Sequence, residues 1–244
     1  WTNYGSLTVT IPSAQLATPG PHRVGVRNGA QGTQAAGTIA FVVQNPVPTM
    51  TSFDIPSALV ESPPPTLTIN GNGFVSGSTV NWGSQTKSGT SVQWLSNSQI
   101  QVTLATTDLT TARSVPVSVT NPTPGGGTSN SATFTVANPT PTVTSLSPTT
   151  ALAGSPGVTV TVTGANFVSG GVLTGSGITW NGTPLASAVS GDGTVITAFI
   201  PSTSLKNPGT ATVGVSTVGP GGGAAGRLLF TIAQPVPIAT RPVV

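Results

Sequence analysis

The side chains that acid-base chemistry requires are few in this sequence. Four carboxylates and one imidazole are present, namely Asp54, Glu61, Asp108, Asp192 and His22. General acid-base catalysis needs such a group within reach of a partner. Asp54 and Glu61 are near enough in sequence to approach each other, but exposed loop acids are the commoner outcome in a β-rich chain. We therefore predict no catalytic residue and no enzyme activity.

The glycine-containing segments offer little further chemistry. Gly175-Ser176-Gly177 lacks the strand-to-helix setting of a nucleophilic serine, and we interpret it as a loop. Gly191-Asp192-Gly193 supplies one carboxylate, whereas calcium needs several oxygen ligands, so we predict a tight turn between strands there. Neither Gly125-Gly126-Gly127 nor Gly221-Gly222-Gly223 is followed by the Lys-Ser/Thr pair of a phosphate-binding loop, so both are predicted to be hairpin turns. The chain has no cysteine, and no cofactor or metal is expected.

Charge is scarce along the whole chain. Charged residues make up 5% of the sequence, against about 25% in an average protein. Seven Lys and Arg residues and four Asp and Glu residues give a net charge of +3, and the cations form no cluster. Nucleic-acid binding requires cations aimed at phosphates, so we exclude it. No apolar run approaches the roughly 20 residues that span a bilayer, so no membrane insertion is expected.

The composition favours strands joined by turns. Hydrophobic residues make up 36% of the chain, and 31 glycines and 23 prolines interrupt them. Segments such as Leu67-Thr68-Ile69 and Val160-Thr161-Val162 alternate apolar and polar side chains, which is typical of strands with one buried face. We predict an all-β chain with modest cores.

An internal repeat divides the chain into modules. Three similar segments mark it, namely Asn45-Pro46-Val47-Pro48, Asn138-Pro139-Thr140-Pro141 and Gln234-Pro235-Val236-Pro237. Their first prolines lie 93 (139 minus 46) and 96 (235 minus 139) residues apart, close to the length of about 100 residues of one seven-stranded sandwich. Within the modules, Val80-Asn81-Trp82-Gly83 corresponds to Ile178-Thr179-Trp180-Asn181-Gly182. We predict that Trp82 and Trp180 enter the cores and that Asn181-Gly182 forms a hairpin turn.

The repeat predicts four segments. Residues 45–137 and 138–233 are complete modules, and residues 1–44 match only the closing half of one. Residues 234–244 form a linker that either begins a further module or donates a strand. Two explanations for the half module stay open: its opening strands lie outside this sequence, or the tail of one copy completes the half module of the next.

The repeated segments resemble the IPT/TIG family, which occurs in plexins, some transcription factors and many bacterial surface proteins. Four segments carry the resemblance: Pro141 to Pro148 as the opening strand, Thr161 to Phe167 as a strand with a glycine bend, Ile178 to Gly182, and the glycine-rich turn before Phe230. The resemblance implies tandem immunoglobulin-like sandwiches of the E-set type joined by short proline-rich linkers. It brings no catalytic residues.

The expected role is structural. Proline-rich linkers favour an extended path, which predicts a semi-rigid rod in an extracellular or cell-surface bacterial array or filament. The expected partners are copies of the chain itself or neighbouring modules of the same polypeptide. The residues expected at strand-exchange contacts are Trp1, Leu7, Val9, Pro235, Val236, Pro237, Ile238, Val243 and Val244.

The alternative to a structural role is that the chain is a carbohydrate-binding or accessory region of a larger secreted enzyme, with surface glycans as its partners. Exposed aromatic rings can stack on sugar faces. The aromatic residues expected near a strand edge are Trp94, Trp1 and Tyr4.

Overall fold

A computed structural model describes residues 6–27 and 35–236. Within these residues the chain forms 21 strands in five sheets, four short 3-10 turns and one α-helical turn. The predicted all-β architecture is confirmed. The chain divides into two compact units, one of residues 1–56, 65–104 and 115–134, and one of residues 57–64, 105–114 and 135–244.

A two-stranded antiparallel hairpin lies first in the chain. A 3-10 turn at Ser13–Leu16 precedes strand β1 (Gly20–Arg27), which pairs with β2 (Ala35–Val43). The hairpin forms a sheet of its own among the described strands.

The next ten strands form two sheets. They are β3 (Thr49–Phe53), β4 (Ser57–Leu59), β5 (Thr66–Asn72), β6 (Thr79–Trp82), β7 (Gln85–Lys87), β8 (Val92–Ser96), β9 (Gln99–Thr103), β10 (Arg113–Asn121), β11 (Gly127–Thr128) and β12 (Ala132–Ala137). One sheet has the order β3-β5-β9-β8, and the other has the order β4-β12-β10-β6-β7, with β11 beside β10. Strand β4 pairs in parallel with β12. Further 3-10 turns lie at Gly89–Ser91 and Thr106–Leu109. We call these two sheets the first sandwich.

The last nine strands repeat this plan as the second sandwich. They are β13 (Thr142–Ser147), β14 (Thr150–Leu152), β15 (Val158–Ala165), β16 (Ser176–Trp180), β17 (Thr183–Pro184), β18 (Ser187–Val189), β19 (Val195–Ile200), β20 (Gly209–Thr217) and β21 (Gly223–Ala233). The sheets have the orders β13-β15-β19-β18 and β14-β21-β20-β16-β17. Helix α1 (Gly171–Thr174) precedes β16, and a 3-10 turn at Ser202–Leu205 precedes β20.

The cores follow the predicted alternation. In the second sandwich Val160, Val162 and Ile196 from one sheet meet Ile178 and Val213 from the other, and all five are fully buried. Hydrophobic burial of this kind is the main favourable contribution to folding.

Trp82 and Trp180 enter the cores, as predicted. Their rings pack on Phe134 and Phe230, with ring centroids 5.0 Å and 5.2 Å apart. The turn at Asn181-Gly182 joins Trp180 to Thr183 with both turn residues at positive φ, so that hairpin prediction is confirmed as well.

The prediction of a loop at Gly175-Ser176-Gly177 is wrong. Strand β16 begins at Ser176, whose side chain is fully buried. The Ser176 hydroxyl lies 2.7 Å from that of Thr217 and accepts a hydrogen bond from the Val168 amide at 2.8 Å. Because these bonds replace water, a serine is accommodated in the sheet interior.

The core predicts a clear difference between two phenylalanines of the second sandwich. Replacing Phe230, which is fully buried, by Ala should lower the free energy of unfolding by about 3–5 kcal/mol because a cavity is left. Replacing Phe199, which is 58% exposed, should cost less than about 1 kcal/mol. Urea denaturation followed by the amide signals of Ile196 and Val213 measures both values, and equal effects would contradict the assigned core.

Candidate functional site

An asparagine at the start of each sandwich binds that sandwich's glycine-rich turn. The Asn45 amide donates to the Pro124 carbonyl and its side-chain Nδ2 donates to the Pro122 carbonyl, both at 2.8 Å, while its own carbonyl accepts from the Gly126 amide at 2.8 Å. We call this set of three hydrogen bonds the asparagine clamp.

The second sandwich has the same clamp at Asn138. The Asn138 amide donates to the Pro220 carbonyl at 2.8 Å, its Nδ2 donates to the Val218 carbonyl at 2.7 Å, and its carbonyl accepts from the Gly222 amide at 2.8 Å. Asn45 and Asn138 are 8% and 3% exposed. Buried backbone groups that lose a partner are costly, so each clamp supports the turn that it binds.

The clamp explains why the turns contain glycine. Gly126 and Gly222 have φ values of +68° and +65°, a region that side-chain-bearing residues rarely adopt. A Cβ atom on Gly126 would lie 2.5 Å from the Pro122 carbonyl oxygen, and one on Gly222 would lie 2.5 Å from that of Thr217. The hairpin turns predicted at Gly125 to Gly127 and Gly221 to Gly223 are confirmed. Each turn binds the segment with which its own sandwich begins.

A second buried polar contact lies close to each clamp. Asn121 donates from Nδ2 to the carbonyls of Pro46 and Gly73 at 2.9 and 2.7 Å and accepts a hydrogen bond from the Ser78 hydroxyl at 2.6 Å. The second sandwich has the hydroxyl pair of Ser176 and Thr217 at this place. Sequence reasoning missed these residues, although the Asn-Pro pairs at 45 and 138 were a visible signal.

Three of the four acids hold local structure. Asp54 accepts hydrogen bonds from the amides of Ile55 and Thr68, each at 2.8 Å. Asp108 is 2% exposed and accepts from the Ala105 amide at 2.7 Å, closing the 3-10 turn in which it lies.

Asp192 closes the turn before β19. Its Oδ1 accepts from the Ser190 hydroxyl at 2.5 Å and from the Thr194 amide at 3.2 Å. The hydrogen bond from Ser190, followed by those from Thr194, lowers the pKa of Asp192 below its ordinary value. The predicted tight turn is confirmed.

Glu61 is exposed at a positive φ of 59°. Across residues 6–27 and 35–236, no three His, Cys, Asp or Glu side chains lie close enough together to hold a metal ion. The sole imidazole, His22, stacks on Phe41 at a centroid distance of 5.6 Å, and its Nε2 lies 2.8 Å from the Thr18 carbonyl oxygen.

Trp94 lies on β8, an edge strand of the first sandwich. Its side chain is 44% exposed, and its Nε1 donates to the Phe74 carbonyl at 3.1 Å. Beside the ring lies an open groove of about 390 Å³. Four hydroxyl-bearing residues line it together with two glycines, Val92 and Gln93; the hydroxyl-bearing residues are Ser76, Ser78, Thr79 and Ser88. A fixed, exposed indole beside hydroxyl groups is suited to stacking on a sugar ring.

The residues predicted for strand exchange are partly described. Leu7 and Val9 are each 63% exposed, and Val236 is 86% exposed beside exposed Pro235. The other positions predicted for strand exchange, which are Trp1, Pro237, Ile238, Val243 and Val244, lie outside the described residues. So does Tyr4, which was predicted with Trp1 and Trp94 for glycan stacking.

The asparagine clamp predicts a measurable contribution to stability. Replacing Asn138 by Ala removes the donor to the Val218 carbonyl, and this should lower the free energy of unfolding of the second sandwich by about 1–3 kcal/mol. Replacing exposed Asn207 by Ala is the matched control and should change it by less than about 0.5 kcal/mol. Urea denaturation followed by amide signals of the second sandwich measures both, and an Asn138 variant as stable as the control would contradict the clamp.

Known structures with a similar fold share little sequence with this chain. SGBP-B from a complex xyloglucan utilization locus in Bacteroides uniformis is 19% identical over 76% of this chain and 49% of that chain, with a TM-score of 0.31. The Yersinia pseudotuberculosis adhesin InvE is 13% identical over 76% and 58%, with a TM-score of 0.44. A 1.5-MDa bacterial ice-binding adhesin is 20% identical over 86% and 71%, with a TM-score of 0.26.

This chain thus spans about half the length of the SGBP-B chain. No curated protein sequence matches it. Within the described part of the chain, no helix has the length and apolar character needed to cross a bilayer.

The family comparison agrees with the repeat and with the two sandwiches. The model of the IPT/TIG domain matches residues 48–136 and again residues 141–232, which together make up more than half of the chain. The two matches begin just after the clamp residues Asn45 and Asn138 and end in the last strands, β12 and β21. The chain belongs to the IPT/TIG domain family, of which it carries two tandem immunoglobulin-like domains.

Proposed function

We propose that this chain is a non-catalytic structural segment of an extracellular bacterial surface protein, where its tandem domains act as a spacer in assembly or adhesion. Membership of the IPT/TIG family supports the proposal. The proposal also agrees with the two adhesins among the structures compared above.

The observation that carries the proposal is the duplicated asparagine clamp. Asn45 and Asn138 make the same three hydrogen bonds in successive domains, with distances that agree within 0.1 Å. The clamp attaches the entering segment of each domain to a turn that follows about 80 residues later in the sequence. Such closure makes a domain a self-contained unit that can be repeated, which a spacer requires.

The polar side chains agree with this role. Asp54 accepts a hydrogen bond from the neighbouring strand β5, and Asp108 and Asp192 hold turns. Only 5% of the residues are charged, and their net charge is +3. A weakly charged surface rich in hydroxyl and amide groups contacts other molecules without long-range attraction to nucleic acid.

The proposal predicts that the chain is accessible from outside the cell. An antiserum raised against the chain should label intact cells of the source bacterium as strongly as permeabilised cells. An antiserum against a cytoplasmic protein is the control and should label permeabilised cells alone. If the chain were labelled only after permeabilisation, the proposed location would be contradicted.

Glycan binding at Trp94 is the second candidate function. The Trp94 ring is held at its Nε1 by Phe74 and remains 44% exposed beside the groove that contains Ser76, Thr79 and Ser88. Val189 occupies the corresponding position of the second domain, since it pairs with Ile196 as Trp94 pairs with Ile100. The first domain alone therefore offers this aromatic surface in the described chain.

This candidate function predicts that glycan binding depends on the Trp94 ring. On an array of bacterial and host glycans, replacing Trp94 by Ala should reduce binding about 5- to 150-fold, because stacking on an aromatic ring contributes about 1–3 kcal/mol by analogy with base stacking. Replacing its neighbour Leu95, which is 41% exposed, by Ala is the control and should leave binding unchanged. Equal binding by both variants, or no binding by the parent chain, would remove the candidate.

A further inference from the structure

Residues 7–43 correspond position by position to the closing halves of both domains. Leu16, Val24 and Phe41 each lie 93 positions before Leu109, Val117 and Phe134 (for example, 109 minus 16), and these lie 96 positions before Leu205, Val213 and Phe230 (205 minus 109). The constant offsets mean that the three segments align without a gap.

The backbone follows the same correspondence. The amides of Gln15, Asp108 and Ser204 donate to the carbonyls of Pro12, Ala105 and Pro201, each at 2.9 Å. These bonds close three equivalent 3-10 turns.

The hairpin register also agrees. Strand β1 pairs Val24 with Ile39 as β20 pairs Val213 with Leu228. The register shifts soon after this pair in both hairpins, between Gly25 and Arg27 in β1 and between Val213 and Val215 in β20. The hairpin therefore has the backbone of a closing sheet.

Burial is where the hairpin and the domains differ. Leu16 is 43% exposed, whereas Leu109 and Leu205 are fully buried. Val26 is 45% exposed, whereas Val215 is 1% exposed. Among the described residues, the apolar side chains of the hairpin thus lack the covering sheet that the same positions have in the domains.

The chain contains residues that correspond to one strand of the covering sheet. Leu7 and Val9 correspond to Ile196 and Ala198 on β19, which belongs to the opening sheet of the second domain. They line a hollow of about 350 Å³ together with Val24, Val26, Ile39 and Phe41. In the domain β19 lies between β15 and β18, whereas residues 7–10 form no strand.

His22 is the one polar side chain among the inward positions of β1. It corresponds to Ala211, which is 3% exposed, and it pairs across the hairpin with Phe41. Its ring stacks on Phe41 and its Nε2 lies within hydrogen-bonding distance of the Thr18 carbonyl. The Nε2 atom therefore keeps a hydrogen-bond partner when the ring is covered.

We infer that residues 7–43 are the closing half of a third IPT/TIG domain and that their apolar face docks an opening half of the kind formed by residues 138–195. The opening half needs strands equivalent to β13, β15 and β18 to form a sheet with residues 7–11. It also needs strands that flank the hairpin on both sides, because β16 pairs with β20 and β14 pairs with β21 in the complete domain. This inference rests on the repeat and not on the proposed surface role.

A second copy of the chain is the competing occupant. It would present its C-terminal segment at Pro235 and Val236 as a single added strand. One strand covers at most one edge of β1 or β2, and both edges are open in the described hairpin. The repeat therefore favours the opening half over the second copy.

The chain itself supplies the material for a test. Residues 138–195 placed directly before Leu7 would reproduce the opening half of the second domain ahead of the hairpin, joined at the equivalent position. Hydrogen exchange is measured on the extended and the original chain. Val26→Asp is made in both, because it places a charge in the new core of the extended chain but on an exposed position of the original chain.

The inference predicts that amides of residues 20–27 and 35–43 exchange roughly a thousandfold more slowly in the extended chain than in the original. Val26→Asp should abolish this protection in the extended chain and leave exchange in the original chain and in the second domain unchanged. Equal hairpin exchange in the extended and original chains would overturn the inference. So would hairpin protection in the original chain that rises with protein concentration, because a second copy would then cover the face.

Discussion

Each domain depends on a single buried asparagine that meets three backbone groups of a distant turn. The Pro-Gly-Gly turn carries carbonyls and an amide that its own residues leave unpaired, and unpaired buried groups of this kind are costly. Asn45 and Asn138 satisfy those groups from the first residue of the domain. The entering segment and the turn therefore stabilise each other.

Around this constraint the polar side chains vary while the geometry stays the same. Asn121 reaches the Pro46 carbonyl in the first domain, whereas Asn166 reaches the Thr140 carbonyl in the second. The two contacts tie the same entering segment to different parts of the domain. The acid in the 3-10 turn of the first domain, Asp108, is replaced by Ser204 in the second, and the backbone hydrogen bond of the turn persists. Backbone partners and the apolar core therefore define the domain, and individual polar residues adapt to them.

The sequence predicted the features that depend on local patterns. Alternation identified the strands and the buried Trp82 and Trp180, and the Asn181-Gly182 pair identified a hairpin, because these signals lie within a few residues of each other. The clamp was not predicted, since Asn138 and Val218 are 80 residues apart and no local pattern links them. Ser176 was misplaced in a loop because its burial depends on Thr217.

The repeat adds information that neither the composition nor a single domain contains. Because three closing halves align without a gap, the two complete domains show which residues of the hairpin would be buried once it is covered. Val26 and Leu16 are exposed, whereas Val215 and Leu205 at the same positions of the second domain are buried. The exposed apolar face of the hairpin therefore corresponds to a face that is part of the core in a complete domain.

The most direct measurement of the central claim is the hydrogen exchange of the Gly126 and Gly222 amides, which donate to the Asn45 and Asn138 carbonyls. If the clamp holds each domain together, both amides should exchange as slowly as those in the core strands of their domains, because they open only when the domain unfolds. Exchange at the rate of an exposed, unstructured glycine turn would show that the domains are stable without the clamp and would contradict the account.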